Sequence, residues 1–176
     1  MLERLWNGWR SSYVSSLGAE ADGSSSDGSE PQQGSVFTRI LRSGLPDHDT
    51  NIVHRGPTCF AILNAYPYGT GHLLVLPYRE IANLHDLDQA EAIELWATVT
   101  AAVGAVNRAY APDGVNVGIN LGRAAGGSVS EHLHVHVVPR WIGDSNFMTA
   151  IANTRTLPEP LVDTAARLRD AWDPER

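Results

Sequence analysis

Three of the chain's seven histidines, His132, His134 and His136, occupy alternate positions in one short stretch whose intervening residues are apolar. Successive side chains of an extended strand point to opposite faces, so the three imidazoles are predicted to lie on one face. With a rise of about 3.3 Å per residue, neighbouring histidines start roughly 6.5 Å apart. This spacing lets them act together on one small ligand.

Imidazoles in such a row occur in three settings: an exposed polar strand, a Zn²⁺ site completed by a third ligand, and a phosphate site where histidine is nucleophile or acid–base partner. The loop before the histidines favours phosphate chemistry. It contains Gly122, Gly126 and Gly127 with Ser128 and Ser130, which let the backbone turn its N–H groups toward an anion. The metal-binding alternative stays open on the residues alone.

The rest of the chain alternates between short β-rich runs and glycine or proline turns, which predicts antiparallel strands. The predicted strands are residues 51–55, 58–64, 71–77, 114–120 and 132–139. A long helix is predicted after the third strand, with Asp86 or Asp88 as its N-cap. Its apolar stripe consists of Leu95, Trp96, Val99, Ala102, Val103 and Val106. With a tail helix over 158–172, the predicted class is α+β, an antiparallel sheet of about five strands with helices packed outside it.

The first 35 residues have a different character. Aromatic and apolar residues recur at three- or four-residue spacing in residues 1–17, which predicts an amphipathic N-terminal helix. Residues 18–35 are rich in glycine, serine and acidic side chains and predict a flexible linker. The predicted folded domain therefore covers residues 36–176.

Length and composition restrict the function further. The chain has 176 residues, 43% of them hydrophobic, which is enough for one domain with a core. A net charge of −7 and the lack of a dense basic run argue against a nucleic-acid partner. The single cysteine, Cys59, excludes an internal disulfide, and no stretch approaches the ~20 apolar residues that span a bilayer. We expect a cytoplasmic protein that binds a small ligand and has no membrane partner.

Two blocks of the sequence resemble the histidine triad (HIT) family of nucleotide hydrolases and transferases. The run "HLHVHVV" matches the family's His-x-His-x-His pattern, and "NAYP" at 64–67 with "GHLLVLP" at 71–77 is similar to its first block. The resemblance covers roughly residues 50–147 and implies a HIT-like fold. Within the family, residues 114–148 look like the short actinobacterial diadenosine tetraphosphate phosphorylases, with Gly127 and Ser128 where the hydrolases usually carry glutamine.

The resemblance implies a role for each histidine of the predicted site. His134, the middle residue, is the expected nucleophile, which attacks the α-phosphorus of a dinucleoside polyphosphate and forms a nucleotidyl-histidine. His136 and His132 are expected to hold either the phosphate oxygens or the position of His134. His72 resembles the family's supporting histidine from the adjacent strand.

The resemblance also implies substrate contacts and partners. Asn64 matches a position that binds ribose hydroxyls, while Asn120, Gly127 and Ser128 are expected to hold the transferred phosphoryl group and the acceptor. Inorganic phosphate is the expected co-substrate, with no tightly bound cofactor or metal and with a divalent cation as a companion of the nucleotide. The family implies a homodimer or a dimer of dimers. Alternatives are a dinucleoside polyphosphate hydrolase, an adenosine phosphoramidase, or a non-enzymatic metal- or nucleotide-binding module.

Overall fold

An antiparallel sheet lies at the centre of the computed structural model, which describes residues 34–144 and 159–172. Its strands are β1 (Ile52–Arg55), β2 (Cys59–Leu63), β3 (Leu73–Pro77), β4 (Gly114–Ile119) and β5 (Val135–Arg140). The helices in the same ranges are α1 (Val36–Arg42), α2 (Asp47–Thr50), α3 (Gln89–Tyr110) and α4 (Leu161–Trp172). The strand order is β1-β2-β3-β5-β4, with every neighbouring pair antiparallel. The predicted α+β class with five strands and a long helix is confirmed.

The chain divides into two units, and the elements above all belong to one of them, Gln33–Ile142 with Leu157–Arg176. Of the other unit, Met1–Gln32 with Gly143–Thr156, the structure describes only Gly143 and Asp144. The predicted helix over 1–17 and the predicted linker up to residue 33 lie outside the described residues. Among the helices that are described, none combines the length and apolarity needed to cross a bilayer.

The sheet has two apolar faces because side chains alternate along its strands. Val135 and Val137 of β5 are fully buried on the face that packs against α3 and α4. Leu74 of β3 belongs to the opposite face, where it lies in one apolar cluster with Phe37 of α1. His136 pairs with Leu74 across the β3–β5 ladder. Its side chain therefore points to the α1 face.

Helix α1 is an element that the hydrophobic pattern does not single out, because it has only seven residues. It begins after Ser35, whose hydroxyl oxygen accepts the Thr38 N–H at 3.2 Å and so serves as the N-cap. Ser35 is only 2% exposed. Ser35 therefore packs with the folded domain, one residue before the predicted domain start at residue 36.

The strand that was predicted over 132–139 begins later than expected. β5 starts at Val135, so His132 and His134 precede the strand. The chain is diverted here because the Leu133 N–H donates to Ile81 O at 2.6 Å instead of joining the ladder of β5. The three histidines therefore do not form one straight row, and each has its own surroundings.

The long helix α3 begins after Asp88, which is one of its two predicted N-caps. The Asp88 carboxylate accepts the Glu91 N–H at 2.9 Å, and the Glu91 carboxylate accepts the Asp88 N–H at 3.0 Å, a reciprocal capping box. Most of the predicted stripe is buried, with Leu95 and Val99 facing the sheet. Trp96 is the exception at 49% exposed, because it lies one residue round the helix from the buried face.

We predict that Asp88→Ala lowers the free energy of unfolding by about 1 kcal/mol, because an N-cap is lost and the Glu91 N–H is left without its acceptor. Urea unfolding of the two proteins measures the difference. Asp170→Ala removes an exposed carboxylate from the last turn of α4 and is the control, with a change under about 0.5 kcal/mol. Equal losses in the two variants contradict the capping role.

Candidate active site

The His134 ring lies on the α1 face of the sheet, and its hydrogen bond fixes which of its two nitrogens carries a hydrogen. Its Nδ1 lies 2.8 Å from the carbonyl oxygen of His132. A carbonyl oxygen only accepts, so Nδ1 carries the hydrogen and the neutral ring has its lone pair on Nε2. The side chain is buried, and burial is the main cause that lowers the pKa of His134 below its ordinary value of 6.5. The residue therefore has the properties of a neutral nitrogen nucleophile.

His132 is held away from any ligand by its own hydrogen bonds. Its ring is fully buried, with Nε2 2.9 Å from Pro77 O and Nδ1 2.7 Å from Ser35 Oγ. Burial is also the main cause that lowers its pKa. Of the two roles expected for His132, this geometry fits the one that fixes the position of His134. It does not fit direct contact with phosphate oxygens, because both ring nitrogens already have protein partners.

His72 and His136 form a directed pair across the β3–β5 boundary. The backbone N–H of Tyr68 donates to His72 Nδ1 at 3.0 Å, so a neutral His72 carries its hydrogen on Nε2. That nitrogen lies 2.9 Å from His136 Nδ1 and donates to it. A neutral His136 consequently carries its hydrogen on Nε2. Asn120 Nδ2 lies 3.3 Å from this nitrogen. Because an amide nitrogen and an Nε2–H are both donors, this form of His136 requires the Asn120 amide to be turned so that Oδ1 faces the ring.

Aromatic rings enclose the histidines on two sides. Tyr68 stacks on His136 with 5.8 Å between ring centroids and contacts His72 at 4.6 Å. Phe37 of α1 lies 5.5 Å from the His132 ring and 5.6 Å from the His134 ring. Sequence reasoning missed both residues, although Tyr68 stands four positions before His72 within the recognised first block. Phe37 is one of the apolar groups that bury His132 and His134, and burial disfavours the charged forms of these two imidazoles.

The remaining predicted site residues lie in two loops. Asn64 Oδ1 accepts the Tyr66 N–H at 3.0 Å, a turn-forming contact, and Asn64 Nδ2 is 3.4 Å from His72 Nδ1. The Asn64 side chain therefore lies beside the His72–His136 pair. Its contact with a ribose stays a prediction.

The glycine-rich loop closes on itself around the short 3₁₀ turn Arg123–Ala125. The Gly127 N–H donates to Gly122 O at 3.3 Å. A Cβ on Gly127 would lie 3.1 Å from that oxygen and 3.2 Å from Asn120 O, so a larger residue here would require the two carbonyl groups to move by a few tenths of an ångström. Ser128, the next residue, is exposed. Contacts of Gly127 and Ser128 with phosphate remain predictions.

The described residues contain no group of three histidine, cysteine, aspartate or glutamate side chains arranged to hold a metal ion. His72 and His136 are bonded to one another through ring nitrogens.

The HIT domain family model matches residues 46–141, more than half of the chain, and includes all the histidines described above. The chain belongs to the HIT family. A Mycobacterium tuberculosis protein named AP-4-A phosphorylase is 44% identical over 171 residues, which cover 97% of this chain and 85% of that protein.

Solved structures of HIT proteins share the fold. A HIT-like protein of Bartonella henselae matches with a TM-score of 0.65 and 27% identity over 81% of this chain and 99% of that one. A zinc-bound histidine triad protein of Mycobacterium smegmatis also has a TM-score of 0.65, at 26% identity over 81% of this chain and 95% of that one. The predicted family and HIT-like fold are confirmed.

In this HIT protein we predict that the ring protons of His134 and His132 titrate with midpoints below 6.5, because burial disfavours both imidazolium forms. A histidine pKa that is lower in the folded chain means that the unfolded chain binds more protons in acid. The free energy of unfolding should therefore fall as the pH drops below about 6.5 toward the folded pKa values. NMR titration measures the midpoints, and urea unfolding at several pH values measures the change in the free energy of unfolding. A His134 midpoint above 6.5 contradicts the prediction.

Proposed function

We propose that this HIT protein catalyses phosphorolysis of diadenosine tetraphosphate to ATP and ADP. The observation that carries the proposal is the His134 ring, whose Nδ1 hydrogen is donated to His132 O and whose Nε2 therefore holds a lone pair. The similarity to the mycobacterial protein named AP-4-A phosphorylase supports the choice of substrate and of phosphate as acceptor.

In the first half-reaction His134 Nε2 attacks the α-phosphorus of the dinucleotide. The new N–P bond forms as the bond from that phosphorus to the bridging oxygen breaks, and ATP leaves with the electron pair of the broken bond. The His134 ring then carries AMP on Nε2 and a positive charge. The charge is stabilised because the Nδ1 hydrogen points at a carbonyl oxygen.

In the second half-reaction an oxygen of inorganic phosphate attacks the same phosphorus. The P–N bond breaks, its electron pair returns to His134 Nε2, and ADP is released while the proton of hydrogen phosphate passes to solvent. Two displacements on one phosphorus predict ping-pong kinetics. The protein thus needs no resident cofactor for the transfer, and a divalent cation enters as a companion of the substrate phosphates.

The His72–His136 pair supplies a directed hydrogen-bond donor for this chemistry. The Tyr68 N–H fixes which nitrogen of His72 carries a hydrogen, and His72 Nε2–H does the same for His136. The last donor in this series of hydrogen bonds is therefore the His136 Nε2–H. His134 and His136 are neighbours, with 4.9 Å between ring centroids. We assign to His136 the stabilisation of a phosphoryl oxygen as its negative charge develops. Asn120, whose amide lies 3.3 Å from His136 Nε2, gives up this contact when the phosphoryl oxygen binds.

Contacts outside the histidines complete the proposed site. Asn64 binds the ribose beside the His72–His136 pair, and Asn120, Gly127 and Ser128 hold the phosphoryl group and the incoming phosphate. Ser128 is suited to this role because it is exposed at the end of the glycine-rich loop.

The assembly proposed for this protein is a homodimer or a dimer of dimers. It is supported by β4, an edge strand whose Val117 is 45% exposed, and by Ile93 of α3, which is 64% exposed. An unpaired strand edge and exposed apolar side chains both favour contact with a second chain. A cytoplasmic location is proposed as well, supported by a lone free cysteine, Cys59.

We predict that His134→Ala abolishes turnover while the dissociation constant for diadenosine tetraphosphate changes by less than about tenfold, because the residue forms a bond and not the pocket. Product formation and calorimetric binding measure the two effects. Labelled nucleotide should be trapped on the wild-type protein when phosphate is absent, and on no histidine of the variant. Full activity of the variant excludes the covalent mechanism.

Incubation of the wild-type protein with and without phosphate separates phosphorolysis from hydrolysis, since phosphorolysis gives ADP with ATP and hydrolysis gives AMP with ATP. We predict that Ser128→Ala raises the KM for phosphate more than the KM for the dinucleotide, because the hydroxyl contacts the acceptor. Ser130→Ala, in the same loop, is the matched control. Equal changes in both constants exclude Ser128 as part of the acceptor site.

A further inference from the structure

The first triad histidine is anchored by a residue that precedes the matched HIT region. His132 Nδ1 lies 2.7 Å from Ser35 Oγ, across 97 positions of sequence, and Nε2 lies 2.9 Å from Pro77 O. Because the carbonyl oxygen only accepts, Nε2 carries the hydrogen and a neutral Nδ1 accepts from the Ser35 hydroxyl. The His132 ring is thus fixed at both nitrogens, and one of its two anchors is the N-cap of α1.

Ser35 is itself held by a carboxylate. Glu80, which follows β3, accepts the Ser35 N–H at 2.9 Å and the Thr38 hydroxyl at 2.5 Å through the same oxygen, Oε2. The Thr38 hydrogen bond is the main cause that lowers the pKa of Glu80, so this acceptor is anionic at neutral pH. Hydrogen bonds to a charged acceptor are stronger than neutral ones. The Ser35 hydroxyl is therefore held in place and not merely near the ring.

The turn that leads into Ser35 is shaped to fit this carboxylate. Gly34 has φ +101°, and a Cβ there would lie 2.9 Å from Thr38 Cγ2 and 3.0 Å from Glu80 Oε2. Only glycine combines that backbone conformation with such a close approach. The Gly34–Ser35 turn, Thr38 and Glu80 form one unit, which we call the Ser35 anchor.

We propose that Ser35, held by Glu80, is a positioning residue for the nucleophile. The Ser35 anchor immobilises His132, and the His132 carbonyl oxygen accepts the Nδ1 hydrogen of His134 at 2.8 Å. Ser35 therefore acts through His132 to keep His134 Nε2 aimed at one point. The proposal rests on the proposed function only for what His134 attacks, since the hydrogen bonds exist in the protein alone.

The kinetic test uses Ser35→Ala and Ser35→Gly in the full chain. Each is expected to lower kcat by about tenfold or more and to change the KM for diadenosine tetraphosphate by less than about threefold, because a misplaced nucleophile slows the chemical step more than binding. Glycine is nearly as good an N-cap as serine, so Ser35→Gly removes the hydroxyl without unfolding α1. Ser35→Thr keeps hydroxyl and cap and is expected to retain kcat within about threefold.

Two further variants complete the set. Glu80→Gln keeps an oxygen acceptor but removes its charge, and is expected to lower kcat by a smaller factor than Ser35→Ala. Asp88→Ala removes the N-cap of α3, which contacts none of the histidines above, and is the matched control for loss of a helix cap. It is expected to leave kcat unchanged. A kcat in Ser35→Ala and Ser35→Gly equal to wild type, or the same loss in Asp88→Ala, overturns the proposal.

Nitrogen NMR of the histidine rings tests the same claim without turnover. The wild-type protein should show His134 as the single form with hydrogen on Nδ1, and Ser35→Ala should show a mixture of forms at His134. A wild-type spectrum in Ser35→Ala overturns the positioning role. If the spectra change as expected but the wild-type protein makes no ADP from phosphate and dinucleotide, the positioning role stands and the proposed function fails.

Discussion

The hydrogen bond from His134 Nδ1 to the backbone oxygen of His132 is the constraint on which the rest of the site depends. It decides which nitrogen of the central imidazole carries the lone pair, and its acceptor is a main-chain carbonyl that belongs to the neighbouring histidine, His132. In the proposed mechanism, the same bond is kept when the ring is neutral and when it carries a nucleotidyl group and a positive charge. No proton has to be exchanged at Nδ1 between the two half-reactions.

Burial makes this arrangement chemically useful. The chain has a net charge of −7, so the field of the whole protein opposes a polyphosphate substrate. Phe37 and the apolar face of the sheet keep His132 and His134 in their neutral forms by lowering their pKa values. In the proposed mechanism, directed N–H donors replace positive charge as the means of binding phosphate oxygens, and the neutral His134 attacks phosphorus, which makes the geometry of each hydrogen bond decisive.

The sequence predicts the sheet well and the site only in part. Alternating residues such as Val135 and Val137 identify the strands because one face of the sheet must be buried, and the capping box at Asp88 is a local pattern. His132 has the same local pattern as His134 and His136, yet its surroundings differ because its partner Ser35 is 97 residues away. A local pattern contains no information about such a partner. Trp96 is predicted to belong to the buried stripe of α3 but is half-exposed. The hydrophobic pattern cannot separate it from its neighbour Leu95, because a rotation of one residue along a helix moves a side chain from the buried face to the exposed one.

The direction of the His72–His136 pair has its origin in the peptide group of Tyr68, because that N–H fixes the tautomer of His72. Every residue except proline possesses such a group. The direction of hydrogen bonding in the His72–His136 pair therefore depends on the path of the backbone between β2 and β3. It does not depend on which side chain stands at position 68. Another side chain at position 68 would keep this N–H donor, whereas a loop that moved the peptide group away from His72 would remove it even with every histidine retained.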